Sequence, residues 1–263
     1  MSQAVNQFSG LIDIHTHILP GLDDGASNWD EALALAGAAS EHGTAVLTCT
    51  PHYIPGLYQP APKTIKELAE EFQHRLGRAG IDLTVKPGME VYLGPDVPEL
   101  AETGRLLPLG GYFPDQPDGA LRPCLLVEFP ANEVPRYADQ VFFELQVQSL
   151  VPVLAHPERN AKVMANPHLL ERLVHEQGVL VQVDAGSIVG LFGRKIAKTA
   201  ELLLRKGWVS FVASDGHSQA RPPVLSLAKA KVAQLLGTEA ATALFTHNPA
   251  KILDGKEVQL PHL

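Results

Sequence analysis

Histidines and carboxylates follow the ends of several apolar segments in this 263-residue chain. In the stretch LIDIHTHILPGLDDG, residues 11–25, His15 and His17 stand one residue apart and precede two adjacent aspartates. Side chains at positions i and i+2 of an extended segment point to the same side, so both imidazoles can bind one metal ion. Asp24 can fold back over that ion after the turn, and Asp23 is interpreted as the turn residue, although the sequence alone does not fix which of the pair takes which role.

Side chains of the same types recur after later apolar segments. They are His52 in TPHY, Glu90 in PGMEVY, Glu128 in LLVEFP, His156 in AHPERN, and Asp215 and His217 in ASDGHS. A carboxylate flanked by apolar residues must be paired, protonated or metal-bound if it is buried. Each of these residues, taken alone, has an ordinary structural explanation. Chance is a poor explanation for the recurrence of metal-binding residue types after so many apolar segments. Asp184, in VQVDAGS, can either reach the same place or serve a turn.

Short apolar segments alternate with amphipathic helical patterns along the chain. Strands are predicted at 11–14, 45–49, 83–86, 124–129, 151–155, 179–184 and 209–214, and helices at 29–42, 64–76, 137–149, 167–176, 195–206 and 224–236. Ser27 is predicted to begin the first helix, and Thr64 with Glu67 to form a capping box on the second. The strands show no period-2 alternation, which is typical of a parallel sheet covered on both faces. The fold class is therefore α/β, as a barrel of about seven units whose strand C-termini meet at one rim.

The composition limits the classes of binding partner and the cellular location expected for this protein. The net charge is −8 and no Lys/Arg block stands out, which argues against nucleic-acid binding and against a membrane-surface patch. We find neither a leader pattern nor an apolar run long enough for membrane insertion, and we expect a cytoplasmic protein. The chain is interpreted as one domain, 1–263, with a short N-terminal tail at 1–10 and a Pro/Gly-rich loop insertion at 108–123. The sequence does not specify the oligomeric state.

Six motifs taken in order resemble those of one known superfamily. DIHTHILPGLDDG, TPHY, GMEVY, VEFP, AHPERN and SDGHSQARPP are similar to the motifs of the PHP (polymerase and histidinol phosphatase) superfamily. More narrowly, they resemble the bacterial metal-dependent protein tyrosine phosphatases encoded with capsule and exopolysaccharide genes. The resemblance runs from Leu11 to the closing HNPAKIL and implies a distorted (β/α)7 barrel of the TIM type.

The resemblance also implies a cofactor and a ligand set. It implies three divalent ions, usually Mn²⁺, with Fe or Zn in some relatives. Carried over residue by residue, the sets are His15, His17, Glu90 and Asp215 for one ion, Glu90, Glu128 and His156 for a second, and Asp24, His52 and His217 for a third. Arg159 and Arg221 match the arginines that contact phosphate, with Arg221 in a loop of variable length.

This ligand set predicts hydrolysis of a phosphate monoester. We expect a metal-bridging hydroxide to attack phosphorus while the arginines stabilise the phosphoryl oxygens, with Asp215 or His217 as candidate acids. The resemblance implies phosphotyrosine as the substrate, on the tail of a bacterial tyrosine autokinase that controls polysaccharide export.

Three other interpretations stay open at this point. A small-molecule phosphoesterase such as histidinol phosphatase shares the metal set. A metal-binding regulatory module without turnover would be expected to lack ligands, and none is missing here. An amidohydrolase also begins with HxH, but its bridging ligand is often a modified lysine where this chain has Glu90.

The catalytic motifs of two further hydrolase classes are missing from this sequence. The sixth residue after Cys49 is Pro55 and the sixth after Cys124 is Pro130, so neither cysteine has the arginine that a cysteine phosphatase requires. No GxSxG motif occurs, which removes the usual serine-hydrolase elbow. Both cysteines are therefore predicted to be inert core residues.

Overall fold

The computed structural model describes residues 10–111, 122–223 and 225–258, and their strands all pair in parallel. The strands are β1 (Leu11–Thr16), β2 (Thr44–Cys49), β3 (His52–Tyr53), β4 (Thr84–Pro87), β5 (Glu90–Tyr92), β6 (Cys124–Glu128), β7 (Val151–Ala155), β8 (Leu180–Asp184) and β9 (Phe211–Ala213). Seven of them match predicted strands. The short strands β3 and β5 were not predicted, and each carries one of the candidate ligands, His52 or Glu90.

The strands follow one another in cyclic order. One sheet has the order β1-β2-β4 and the other β3-β5-β6-β7-β8-β9. Since β2 leads directly into β3 and β4 into β5, each pair acts as one strand interrupted at Pro51 or at Gly88, and seven interrupted or continuous strands result. A parallel bridge between Thr16 and Gly216 joins β1 to the segment after β9. The predicted seven-unit α/β barrel is therefore confirmed, and its distortion lies in the two interruptions.

Helices cover the outside of this ring. They are α1 (Trp29–Glu41), α2 (Pro62–Ala79), α3 (Val97–Glu102), α4 (Ala138–Val147), α5 (Ala161–Ala165), α6 (Glu171–His175), α7 (Ala185–Val189), α8 (Arg194–Arg205), α9 (Leu225–Leu236), α10 (Thr238–Thr242) and α11 (Asn248–Leu253), with a π-helical turn at Ala243–His247 and 3₁₀ turns at Leu109–Gly111, Pro157–Arg159 and Pro167–Leu170. Each predicted helix is present, but the one predicted at 167–176 is a 3₁₀ turn followed by α6.

Two predicted helix starts were wrong. Asn28, and not Ser27, is the N-cap of α1, because its side chain accepts a hydrogen bond from the backbone N–H of Glu31. Helix α2 begins at Pro62, two residues before Thr64, so the supposed capping box lies inside the helix. Proline suits this first position because the N–H it lacks would have no partner there.

Two apolar clusters hold the barrel and its helices together. Phe211, Leu126 and Val153 belong to a smaller cluster that also includes side chains of β1, β2 and α11. Their neighbours along the same strands, such as Val212 and Val127, belong to the larger cluster with the helices. Alternate residues of each strand therefore face the barrel interior and the helix layer, which leaves the strand C-termini free for polar side chains.

Four further sequence predictions concern the N-terminal tail, the Pro/Gly-rich loop, the cysteines and membrane-spanning helices. Most of the predicted tail 1–10 and residues 112–121 of the predicted loop 108–123 lie outside the described residues. Cys49 and Cys124 are free and buried, as predicted, and burial raises the pKa of the Cys124 thiol to about 12. Among the described helices, none is both long and apolar enough to cross a bilayer.

Candidate metal centre

The nine predicted ligands meet at the rim formed by the strand C-termini. Four groups of side chains bring their ligand atoms within 4.8 Å of one another: His15, His17 and Asp215; His15, Glu90 and His156; His52, Glu90 and Glu128; and His17, Asp24, His52 and His217. Except for Asp24, the members are buried or largely buried. Residues separated by two hundred positions in sequence therefore form one continuous cluster.

His15 and His17 have ring orientations that suit a cation. Nδ1 of His15 donates to Gln182 Oε1 over 2.9 Å, and Nδ1 of His17 donates to Asp23 Oδ2 over 2.7 Å. When both rings are neutral, these bonds leave a lone pair on each Nε2, and the two Nε2 atoms are only 3.0 Å apart. Two facing lone pairs need a proton or a metal ion between them. The donor set fits a divalent ion, and the acceptors behind Nδ1 are those expected of metal-bound histidines.

Glu90 connects the parts of the cluster. Its Oε2 lies 3.2 Å from Nε2 of both His15 and His17 and 3.0 Å from His52 Nδ1, yet it has no hydrogen-bond partner. Its other oxygen accepts from His156 Nε2 over 2.8 Å. A fully buried carboxylate oxygen surrounded by ring nitrogens without a hydrogen bond is well placed to ligate a cation.

The second predicted ligand set, Glu90, Glu128 and His156, is divided between two of these groups. Glu128 and His156 occur in different groups, and Glu90 is the residue that they share. Glu128 Oε1 lies 3.3 Å from His52 Nδ1, whereas His156 contacts the opposite oxygen of Glu90. The structure therefore places a shared carboxylate between the two ligands.

The turn after β1 brings Asp24 over the cluster. Asp24 Oδ1 lies 3.6 Å from His52 Nε2 and 3.5 Å from His217 Nε2. The close return of the chain depends on Gly25, because a Cβ there would stand 1.8 Å from the carbonyl oxygen of His17. Asp23 holds the turn and His17 together, so it acts in the turn as predicted and also orients a candidate ligand.

Two ligands that follow strand ends occupy left-handed backbone conformations. His156 has φ 32° and Asp215 has φ 51°. Such conformations cost about 1–2 kcal/mol for a residue with a Cβ. They persist where the surrounding structure over-determines them, which is common at functional sites.

The imidazoles and carboxylates of the cluster compensate each other's charges. Although burial opposes charging, the carboxylates of Glu90 and Glu128 raise the pKa of His52 to about 9. Burial is likewise outweighed at His156, where Asp184 and Glu90 raise the pKa to about 10. The imidazoles hold the pKa values of Glu90 and Asp215 well below their usual range despite burial. Protons therefore occupy nitrogens that a cation would take.

Both predicted arginines reach the same rim. Arg159 Nη1 donates to Asp184 Oδ2 over 3.0 Å and to Asp215 Oδ2 over 2.5 Å. Arg221 Nη2 donates to the same oxygen of Asp215. Their side chains are 31% and 26% exposed, so the guanidinium groups border the cluster and remain open to a ligand.

Sequence reasoning missed several supporting residues. Gln182 holds the His15 ring and also donates to Asp184 over 3.0 Å. Asp13, whose pKa burial raises to about 6, accepts from the backbone N–H groups of Ser214 and His15. Both Gln182 and Asp13 are polar residues within otherwise apolar strand segments, and this pattern could have identified them from the sequence. Asp184 is not in any of the four groups, and it anchors Arg159.

The family model for capsular polysaccharide synthesis, CpsB/CapC, matches residues 11–254. The chain belongs to the CpsB/CapC family. It is 38% identical over 208 residues to the tyrosine-protein phosphatase YwqE of Bacillus subtilis, covering 79% of this chain and 78% of that protein. Identity to the tyrosine-protein phosphatase CpsB of Streptococcus pneumoniae is 27%, covering 92% and 98% of the two chains.

Solved structures agree with membership of the CpsB/CapC family. A chain from the crystal structures of B. subtilis YwqE and S. pneumoniae CpsB, metal-dependent tyrosine phosphatases, superimposes with a TM-score of 0.88 at 34% identity, covering 95% of this chain and 97% of that one. Histidinol phosphate phosphatase from Lactococcus lactis gives a TM-score of 0.53 at 13% identity, covering 91% and 98%. The latter likeness concerns the fold alone.

Asp23→Asn is expected to weaken divalent-ion binding about 10- to 100-fold. Asp23 Oδ2 accepts from His17 Nδ1 and from the His52 backbone N–H at 3.0 Å, and Oδ1 accepts from Gly25 N–H at 2.9 Å. An amide cannot accept on both sides, so the His17 ring loses its fixed orientation. Calorimetric titration with Mn²⁺ measures the change, and Asp30→Asn, at an exposed position on α1, is the matched control. Equal affinities for Asp23→Asn and wild type would contradict this role.

Proposed function

We propose that this chain is a metal-dependent protein tyrosine phosphatase that hydrolyses phosphotyrosine. The observation that carries the proposal is the convergence of four ligand groups, linked through Glu90 and its neighbours, with two half-buried arginines at the same rim. The family and the tyrosine-protein phosphatase relatives support the substrate class. The finer part of the proposal is a phosphorylated tail of a bacterial tyrosine kinase as substrate, in the cytoplasm.

The donor sets suggest which residues hold the ions. We assign three sites, with Mn²⁺ as the expected metal: His15, His17, Glu90 and Asp215; Glu90, Glu128 and His156; and Asp24, His52 and His217. Imidazole and carboxylate ligands suit Mn²⁺, Fe and Zn alike. When bound, such ions supply a water that ionises near neutral pH and a clamp for phosphoryl oxygens.

The chain's own residues bind and orient the phosphoryl group. The guanidinium groups of Arg159 and Arg221 present planar, bidentate donors that match phosphate oxygens. Asp184 is fully buried and keeps Arg159 at the rim. The positive charge of the arginines then lies beside the phosphoryl oxygens, where it stabilises the bound phosphoryl group as well as the charge of the transition state.

A separate proton donor is not required for a phenol leaving group. A tyrosine phenol has a pKa of about 10, so the phenolate leaves more readily than an alkoxide. Asp215, one candidate acid, is ionised because nearby imidazoles hold its pKa well below the usual range despite burial. His217, the other candidate, has its pKa lowered by burial and by His17, and its Nδ1 faces the carbonyl oxygen of Asp215. We assign both to ion binding.

The deciding experiment compares substrates on one metal-loaded preparation. Ion content is measured first, and then kcat/KM is measured with Mn²⁺ for a phosphotyrosine peptide, a phosphoserine peptide and histidinol phosphate. We expect the phosphotyrosine peptide to be preferred and chelation to abolish turnover. Faster hydrolysis of histidinol phosphate would replace the proposal with the small-molecule phosphoesterase, and turnover that survives chelation would remove the metal mechanism.

Ion affinity is expected to rise with pH between about 6 and 8. In the ion-free protein, His52 and His156 have pKa values raised to about 9 and about 10, so both rings are protonated at neutral pH and must lose a proton to bind a cation. Each proton released adds about tenfold in affinity per pH unit. Calorimetric titration with Mn²⁺ in two buffers of different ionisation enthalpy counts the protons. An affinity that stays constant across this range would contradict the prediction.

A further inference from the structure

Phe192 packs against both arginines of the candidate site. It lies in the short segment between α7 and α8, and its half-buried ring faces two guanidinium groups. The central carbon of the Arg159 guanidinium is 4.9 Å from the ring centroid, and that of Arg221 is 6.0 Å from it. Both distances are within the range of a cation–π interaction. One aromatic ring therefore touches two cations that come from distant parts of the chain.

The arginines need such a support because their anionic partner is shared. Both donate to the same oxygen of Asp215, whose other oxygen lies 3.5 Å from His15 and 3.4 Å from His17. Arg159 has a second anchor in Asp184, but Arg221 Nε is buried without a hydrogen-bond partner. Two like charges side by side repel each other, and a ring face attracts both without neutralising the charge that phosphate requires.

The protein leaves room for this ring at Gly186. A Cβ at Gly186 in α7 would stand 2.9 Å from Cε2 and 3.0 Å from Cζ of Phe192. Real Cβ atoms do not approach aromatic carbons so closely, so any side chain there displaces the ring. Because Gly186 is helical with an ordinary backbone conformation, alanine is tolerated by the backbone itself. Substitution of Gly186 is thus a second way to change the position of the Phe192 ring.

We propose that Phe192 is a positioning residue that holds Arg159 and Arg221 in the geometry that binds the phosphoryl group. This inference rests on the proposed phosphatase function and names a residue through which that function is tuned. It assigns to Phe192 an effect on the binding of phosphate, whether as phosphotyrosine or as the inorganic ion. Because the ring acts through the two guanidinium groups, the proposal assigns it no direct effect on the metal ligands.

The test uses Phe192→Leu, which keeps most of the volume but removes the aromatic face, and Phe192→Tyr, which retains it. For Phe192→Leu we expect KM for a phosphotyrosine peptide to rise about five- to twentyfold, with kcat changed less than threefold and ion content unchanged. Phe192→Tyr is expected to stay within twofold of wild type. Gly186→Ala is expected to raise KM in the same direction. Leu191→Ala, at the exposed neighbouring position, is the control and is expected to match wild type.

The double variant Gly186→Ala/Phe192→Leu tests whether Gly186 acts through the Phe192 ring. Once residue 192 is leucine, the added methyl of Gly186→Ala meets no aromatic ring, so the double variant is expected to be no worse than Phe192→Leu alone. An unchanged KM in Phe192→Leu, an equal loss in Phe192→Tyr, or a fall in kcat and ion content at constant KM would each overturn the proposal. Inorganic phosphate binding, measured by calorimetry on the Mn²⁺-loaded protein, tests the inference even if wild type fails to hydrolyse the peptide, which would instead count against the proposed function.

Discussion

Glu90→Gln is expected to lower kcat/KM for a phosphotyrosine peptide about a thousandfold or more. Glu90 is the one residue in the cluster that contacts four histidines, with Oε2 at 3.0–3.2 Å from three imidazoles and Oε1 at 2.8 Å from the fourth. The substitution preserves shape but replaces a carboxylate oxygen by an NH₂ group that cannot ligate a cation. Ions contribute several kcal/mol to such reactions, and each 1.36 kcal/mol is a factor of ten in rate.

The experiment separates this effect from misfolding. Ion content per chain and the midpoint of thermal unfolding are measured together with kcat/KM. Glu67→Gln is the matched control, because Glu67 is 62% exposed and its pair with Lys63 spans 3.6 Å at the surface. We expect ion content to fall in Glu90→Gln and to stay normal in the control. Full ion content and near-normal turnover in Glu90→Gln would show that Glu90 is not the shared ligand.

The barrel and its rim could be predicted because they follow from local patterns. A parallel strand buried on both faces appears as a short apolar segment, and its polar successor appears at the end of that segment, as with His156 after β7 or Asp215 after β9. The C-termini of all strands in a barrel lie at one rim, so the position of each residue after its strand was enough to predict that these side chains lie close together. The short strands β3 and β5 escaped prediction because two or three residues carry no periodic signal.

Contacts between distant residues could not be predicted in the same way. The bond between His15 and Gln182 joins residues 167 positions apart, and Arg159 meets Asp215 across 56 positions. The position of Asp184 at the end of β8 places it near the rim, but its pairing with Arg159 could not be predicted from the sequence. Phe192 gave no signal at all, since a lone aromatic residue between glycines reads as a loop. The predicted start of α1 was wrong because Ser27 and Asn28 are both good N-cap residues, and their residue types do not distinguish them.

Arg159→Lys is expected to reduce kcat/KM for a phosphotyrosine peptide about a hundredfold while ion content stays unchanged. The guanidinium of Arg159 reaches two buried carboxylates through one nitrogen, which leaves the rest of its planar fork for phosphoryl oxygens. Lysine keeps the charge near Asp184 but offers a single point of attachment on a shorter reach. Removing one preorganised donor to a developing oxyanion costs about a hundred- to a thousandfold in rate.

The conservative substitution is the informative one because Arg159→Ala would also leave buried Asp184 without a partner. Arg205→Lys is the matched control, since the Arg205 side chain is 55% exposed and pairs with Glu201 along α8. If Arg159 binds the phosphoryl group, the inhibition constant of inorganic phosphate rises together with the loss in kcat/KM, and the thermal midpoint changes little. A loss of thermal stability with an unchanged phosphate inhibition constant would assign Arg159 to structure, and the phosphate would then have to be bound by Arg221 and the ions alone.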